Sequence, residues 1–326
     1  MGGDRHNFLH LDSVYRFKKT VYFSDKEAPV NPGVPAPSPT PSITPSITPT
    51  NTATVTPTMT NTPTVTPTIT NTPTPSTPSI DADYQAVLNR ATTLGYTLPS
   101  SAQQTIQNQF VLDLKSAGIW SQLDLLYVMA TDGDSDYSLL NWVSPSNFEG
   151  IFNGTGTFVT NEGWDRNGCD YIQTQYIPNT HSNNATLTST ANFVYAFNDT
   201  QYARNCYCGT ITNNQQDRFN SQAVPNVTYG VNGCVNTFTI DTSGIGFKMI
   251  QRVGTDISYY VNSGTAGQTL SGGTGALNTS ELVIGRDGSG AGNCSVMTIS
   301  IFGRGSSLSG NESSLLSAIN TYMSSI

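Results

Sequence analysis

Ile245-Gly-Phe-Lys-Met-Ile-Gln-Arg-Val-Gly254, followed by Thr255-Asp256 and Ile257-Ser-Tyr-Tyr-Val-Asn262, is the stretch on which the fold turns. Two runs of β-branched and aromatic residues flank Gly254-Thr255-Asp256. A short glycine-bearing link between such runs predicts a β-hairpin. The same texture continues outward. Thr237–Ile240, Glu281–Ile284 and Val296–Phe302 are short apolar segments set among Gly, Asn, Ser and Thr. Many short strands at this spacing predict a sandwich or barrel from about residue 145 onward.

Helical patterns flank the β region. Asp81 or Asp83 can cap a helix carrying Tyr84, Val87, Leu88 and Ala91, which ends near Gly95. Pro99 and Ser100/Ser101 open a second helix with Ile106, Phe110, Leu114 and Ala117 at helical spacing, stopping at Gly118. Leu123–Ala130 reads as a short buried strand. A last helix runs from about Asn311 to Met323, with Leu315, Leu316, Ile319 and Tyr322 or Met323 on one face.

The first 79 residues differ in kind. Thirteen of the 18 prolines fall in residues 32–79, which carry no charge, and every even position from Thr48 to Thr74 is Thr. Proline at that density excludes a helix. As polyproline II the segment would be a semi-rigid stalk rising about 3.1 Å per residue. As an extended chain, its period of two puts Thr on one face and Pro, Val55, Met59, Val65 and Ile69 on the other. Two or three chains in register would shelter that apolar face and form a shaft, with a trimer expected. An uncharged flexible spacer is the plainer alternative. Mucin-like glycosylation would need a secretory route.

Residues 1–31 are too few to bury a core. They mix Tyr15, Phe17, Tyr22 and Phe23 with basic residues, a composition expected of a docking peptide that orders on a partner rather than of a frayed tail. The organisation expected is therefore a docking arm (1–31), a Thr/Pro stalk (32–79), a helical connector (80–144) and a β-sandwich head (145–326).

Charge narrows the function classes. Residues 1–31 carry five Lys/Arg against four Asp/Glu, and residues 80–326 carry nine against eighteen. An acidic head is not drawn to nucleic acid or an anionic membrane by its field. No run approaches the roughly 18 apolar residues of a membrane span. The N-terminus lacks the apolar region of a signal peptide, which predicts synthesis in a cytoplasm. Five cysteines at irregular spacing do not spell a disulfide framework. Cys206-Tyr-Cys208 could hold zinc given two more ligands, although buried thiols in a strand are the expectation.

Two resemblances follow from these residues. Ile245–Gly254, Ile257–Asn262 and Leu282-Val-Ile-Gly285 resemble laminin-G/concanavalin A-like domains. There an inner strand leads through an Arg-x-Gly turn to a Tyr-Val-Asn strand, and a loop then leads to an Ile-Gly strand. This likeness, over roughly residues 145–305, implies a mainly β fold: a concanavalin A-like jelly-roll sandwich between a small helical segment and a C-terminal helix. Tyr84-Gln-Ala-Val-Leu88, Gln103-Gln-Thr105, Leu114-Lys-Ser-Ala-Gly-Ile-Trp120 and Ala130-Thr-Asp-Gly-Asp-Ser-Asp136 are similar to a segment that recurs in bacteriophage tail-fibre and other virion appendage proteins. This second likeness implies a virion component whose arm docks on other virion proteins.

Four features of the sequence bear on chemistry. Glucanases of the sandwich fold use Glu-x-Asp-x-Glu carboxylates, and that spacing is absent here. His181 is the sole histidine beyond the arm and no Gly-x-Ser-x-Gly occurs, which argues against a serine hydrolase. Asp132, Asp134 and Asp136 could converge on calcium or form an ordinary capped turn. Trp164, Asp165, Asn167 and Tyr171 have the aromatic-plus-amide composition that suits a sugar, or they fill the core. The function expected is a non-enzymatic phage fibre presenting a lectin-like head to a host-surface glycan. A capsid decoration or head-fibre protein without receptor specificity is the alternative, and a glycan depolymerase is disfavoured.

Overall fold

The computed structural model describes residues 79–199, 205–210, 219–221, 227–232, 234–238, 244–272, 275–286 and 296–326. The docking arm with Tyr15, Phe17, Tyr22 and Phe23, and all but the end of the stalk, lie outside the described residues.

Two helices come first. α1 (Ala82–Leu94) is capped by Asp81, whose side chain accepts the Asp83 amide, and α2 (Ser101–Ser116) by Ser100, which accepts the Gln103 amide. Both caps satisfy amides that the first helical turn leaves without partners. Lys115 in the last turn of α2 reaches Asp81 Oδ1 and Asp83 Oδ2, each at 2.6 Å, and so clasps the two helices.

Among the described residues fifteen strands follow in chain order: β1 (Leu123–Val128), β2 (Ile151–Asn153), β3 (Thr157–Val159), β4 (Gly163–Arg166), β5 (Tyr171–Gln173), β6 (Ser189–Asp199), β7 (Asn205–Thr210), β8 (Phe219–Ser221), β9 (Val227–Val231), β10 (Cys234–Phe238), β11 (Gly246–Val253), β12 (Asp256–Val261), β13 (Gln268–Ser271), β14 (Leu282–Ile284) and β15 (Met297–Gly305). A short helix, α3 (Pro178–His181), sits between β5 and β6, and α4 (Glu312–Ser325) ends the chain.

The strands form an eight-stranded sheet, a five-stranded sheet (β2-β5-β14-β7-β8) and the β9–β10 pair. The large sheet runs β13-β12-β11-β6-β15-β4-β3. β15 pairs with β4 along its first half and with β1 along its second. Every pairing is antiparallel. The fold is thus a mainly β sandwich with few helices. The hairpin that decided the fold is β11–β12, with Val253 opposite Asp256 and Gly254 at φ +61°.

Both faces of the large sheet are covered. On one, Phe193, Phe247, Met249, Tyr260 and Ile301 pack against Tyr84, Phe110, Leu114, Leu315, Ile319 and Tyr322 of the helices. On the other, Val194, Ile250, Tyr259, Ile299 and Phe302 pack against Ile172, Tyr207, Leu282 and Ile284 of the smaller sheet. The helical segment therefore shares a core with the sheet, and β1 is one of its strands. A register shift in β15 between Ile299 and Ile301 sends these two residues into different cores, as a bulge does.

The cysteines correct one expectation. Cys169 is disulfide-bonded, while Cys206 and Cys208 are buried thiols on β7. Cys206 Sγ donates to the Cys208 carbonyl, and among the described residues no cluster of three metal-ligating side chains forms there or elsewhere.

Candidate functional site

A cleft of about 500 Å3 opens at the end of β1, lined by Leu123, Asp124, Val143, Ser144, Asn147, Phe148, Thr180, His181, Asn183 and Asn184. Asp124 organises it. Its Oδ1 accepts the amides of Asn183 (3.1 Å) and Asn184 (2.8 Å), and its Oδ2 accepts the Ala185 amide (3.0 Å) and the Tyr176 hydroxyl (3.1 Å). Four donors fill the roughly four lone-pair positions of a carboxylate. Asp124 thus shapes the 183–185 loop and has no acceptor capacity left for a ligand.

The rest of the cleft is built by strain and stacking. Phe148 holds φ at +59°, a costly backbone state for a bulky side chain. Tyr127 donates to its carbonyl. Gln175 shares the same φ, held by Glu281, which accepts its amide, while its own Nε2 donates to the Glu149 carbonyl at 2.8 Å. The Phe148 ring stands edge-on to Tyr176 at 5.3 Å and tilted to His181 at 4.9 Å. His181 Nδ1 accepts the Ile177 amide at 2.9 Å, so the neutral ring carries its hydrogen on Nε2.

Burial pushes the Tyr176 phenol up; nearby Arg304 pulls it down, Asp124 adds to the rise, and it settles at about 12. It therefore stays a donor to Asp124 at any ordinary pH. Ser182 Oγ lies 2.7 Å from the same hydroxyl.

Of the residues expected from sequence to form a sugar site, Trp164 belongs to the core. Trp164 is buried at 8 % exposure, stacked on Phe152 at 4.0 Å, with its indole N–H donating to Ser138. The geometry removes it from the candidate ligand set, because strand alternation turns it inward while Asp165 faces out. Asn167 donates its amide to Asp170 at 3.0 Å, and Tyr171 lies on β5 under the Arg286 guanidinium at 5.0 Å.

The calcium reading is corrected as well. Asp132 Oδ1 accepts the Ser100 amide at 3.0 Å, and Asp134 accepts the Thr97 amide at 2.6 Å and the Tyr137 amide at 2.8 Å. These carboxylates pin the α1–α2 link to the loop after β1, and no three acidic groups converge among the described residues.

Two more carboxylates, Glu149 and Glu281, lie close enough to act electrostatically on Tyr127. Each is engaged: Glu149 by the Tyr96 hydroxyl and by Arg90 at 3.6 Å, Glu281 by Gln175 and by Gln173 at 2.9 Å. The cleft is not legible in the sequence. Asp124 reads as a lone charge in an apolar run, and His181 as an isolated histidine.

No protein family model matches this chain, and no curated protein does. Among solved structures, the chain is similar to the binding domain of botulinum neurotoxin serotype D (TM-score 0.41, 12 % identity, covering 62 % of this chain and 53 % of that one). It is also similar to domain 4 of an extracellular arabinanase from Geobacillus stearothermophilus, in complex with arabinotriose (0.40, 13 %, 60 % and 98 %). A third is a mutant of Trypanosoma rangeli sialidase (0.39, 12 %, 67 % and 39 %). The chain spans about half the length of the neurotoxin domain it matches. At these scores the likenesses carry no argument about function.

Proposed function

We propose that the chain is a non-enzymatic attachment protein of a phage particle: a fibre docked through residues 1–31, extended by the Thr/Pro stalk, and ending in a sandwich head that binds a host-surface glycan. The observation that carries the binding role is the cleft, lined mostly by polar residues together with Phe148, and shaped by a carboxylate whose acceptors are all taken. Glycoside hydrolysis needs two carboxyl groups available at the scissile bond. Among the described residues Asp124 is the one carboxylate lining the cleft, and it is engaged by four donors. Binding without turnover is the chemistry this arrangement offers.

The remaining parts support the attachment reading. The period-two Thr/Pro pattern suits chains in register, and several heads on one shaft would convert weak single-site binding into avidity. The Cys169 disulfide suits a particle that works outside a reducing cytoplasm.

The test is binding of the purified full chain to host cells and to their extracted polysaccharide, with reducing ends measured in the same tubes. Saturable binding with no release of reducing sugar is expected. Release of reducing sugar would overturn the non-enzymatic reading. Absence of binding would favour a capsid decoration protein.

A further inference from the structure

We propose that the cleft at Asp124, Phe148 and His181 selects an uncharged saccharide and discriminates against sugars that bear a carboxylate. This inference rests on the attachment reading and names the ligand class of that site.

Complementarity of charge comes first. Among the described residues, the ionisable side chains lining the cleft are Asp124 and His181, and no Lys or Arg lines it. Asp124 contributes a carboxylate to the lining at 6 % exposure. The nearby cation, Arg304, is fully buried and donates to Asn192 Oδ1 at 2.8 Å and toward Asn232 Oδ1 at 3.5 Å. A uronic or sialic acid entering the cleft would give up hydration of its carboxylate with no Lys or Arg among the described lining residues to pair with it, since the Arg304 guanidinium is fully buried. A neutral sugar meets no such penalty.

The hydrogen-bond inventory fits hydroxyl groups. His181 presents Nε2–H as a donor, since Nδ1 is occupied by the Ile177 amide. Asn147 uses its Nδ2 on Ser144 (2.9 Å) and Asn184 uses its Nδ2 on the Leu123 carbonyl (2.9 Å), so each offers Oδ1 as an acceptor. Asn183 and Thr180 add exposed groups that donate and accept. A hydroxyl does both, which matches a rim of mixed donors and acceptors. The Phe148 ring and Val143 give the apolar surface against which the C–H face of a pyranose or furanose packs. The volume, about 500 Å3, lies in the range of small-molecule sites, about 300–1,000 Å3.

The experiment is a glycan array probed with the full chain, followed by calorimetric titration of one neutral ligand and its carboxylated counterpart. The neutral form should bind at least tenfold more tightly. Phe148→Ala should weaken it by tenfold or more. Asn183→Lys, at an exposed rim position, should keep the wild-type melting temperature and narrow the neutral-to-charged ratio. Equal or tighter binding of the carboxylated sugar would overturn the inference and leave the attachment reading standing. Binding untouched by both variants would place the site elsewhere and overturn it too. A blank array would sink the attachment reading itself.

Discussion

Tyr176 donates its phenol hydrogen to Asp124 Oδ2 at 3.1 Å, and this bond ties the segment after β5 to β1 beneath the cleft. The same carboxylate gathers three consecutive amides, from Asn183 to Ala185. Asp124→Asn would exchange an acceptor oxygen for an NH2 facing donors. With about 1–3 kcal/mol lost for each buried donor left unsatisfied, it should destabilise the fold by about 3 kcal/mol. Tyr176→Phe removes one of the four donors and should cost about 1 kcal/mol. Urea midpoints of the two variants check the order.

The Lys115 clasp predicts a pH signature. At Asp81, desolvation raises the carboxyl, but the Lys115 ammonium and backbone amides outweigh it and hold it below its usual value. At Lys115, desolvation lowers the amine, and Asp81 and Asp83 outweigh it and hold it up. A depressed carboxylate stabilises above its unfolded value and loses that contribution as pH falls through the folded value. A raised amine stabilises below its unfolded value and loses it as pH rises through the folded one. Lys115→Met should therefore cost up to about 1 kcal/mol at pH 7, as expected of a partly exposed pair, and almost nothing at pH 2. Thermal melts of both proteins across that range are the check.

Gly303 on β15 sits directly opposite Phe193 on β6, and a Cβ placed there would lie 2.0 Å from the Phe193 ring. The ring belongs to the core between sheet and helices. Gly303→Ala should cost about 1–3 kcal/mol by overpacking. Gly303→Ala with Phe193→Leu should recover part of it, and a denaturation cycle over the four proteins measures the coupling.

The stalk proposal makes a prediction about mass. Light scattering should give a trimer for the full chain and a monomer for a chain beginning at Ile80. Monomers in both cases would make the Thr/Pro segment a tether.

The parts of the fold that announced themselves were those with local chemistry. Asp81 and Ser100 are caps by residue type, and Gly254 marks the β11–β12 turn. The central strand β6 did not show itself, because Ser189-Thr-Ala-Asn-Phe-Val-Tyr-Ala-Phe reads as small and polar at its start. Its polar members are buried by tertiary partners: Asn192 is 1 % exposed and accepts from Arg304. Burial of the large sheet on both faces was equally hidden, since a lone antiparallel strand does not reveal what lies on its second face. Of the site, composition pointed to Trp164 and the Asp132–Asp136 cluster, yet packing took the first and backbone amides took Asp132 and Asp134. Phe148, His181 and Asp124 are far apart in sequence, and their meeting depends on the loop after β1 reaching the loop after α3.

The most direct measurement is a crystal structure of the chain with a bound neutral oligosaccharide. The account predicts an intact sugar in the cleft, one ring face on Phe148 and a hydroxyl accepting from His181 Nε2. A sugar seated instead beside Asp165, Asn167 and Tyr171, or found cleaved, would contradict it.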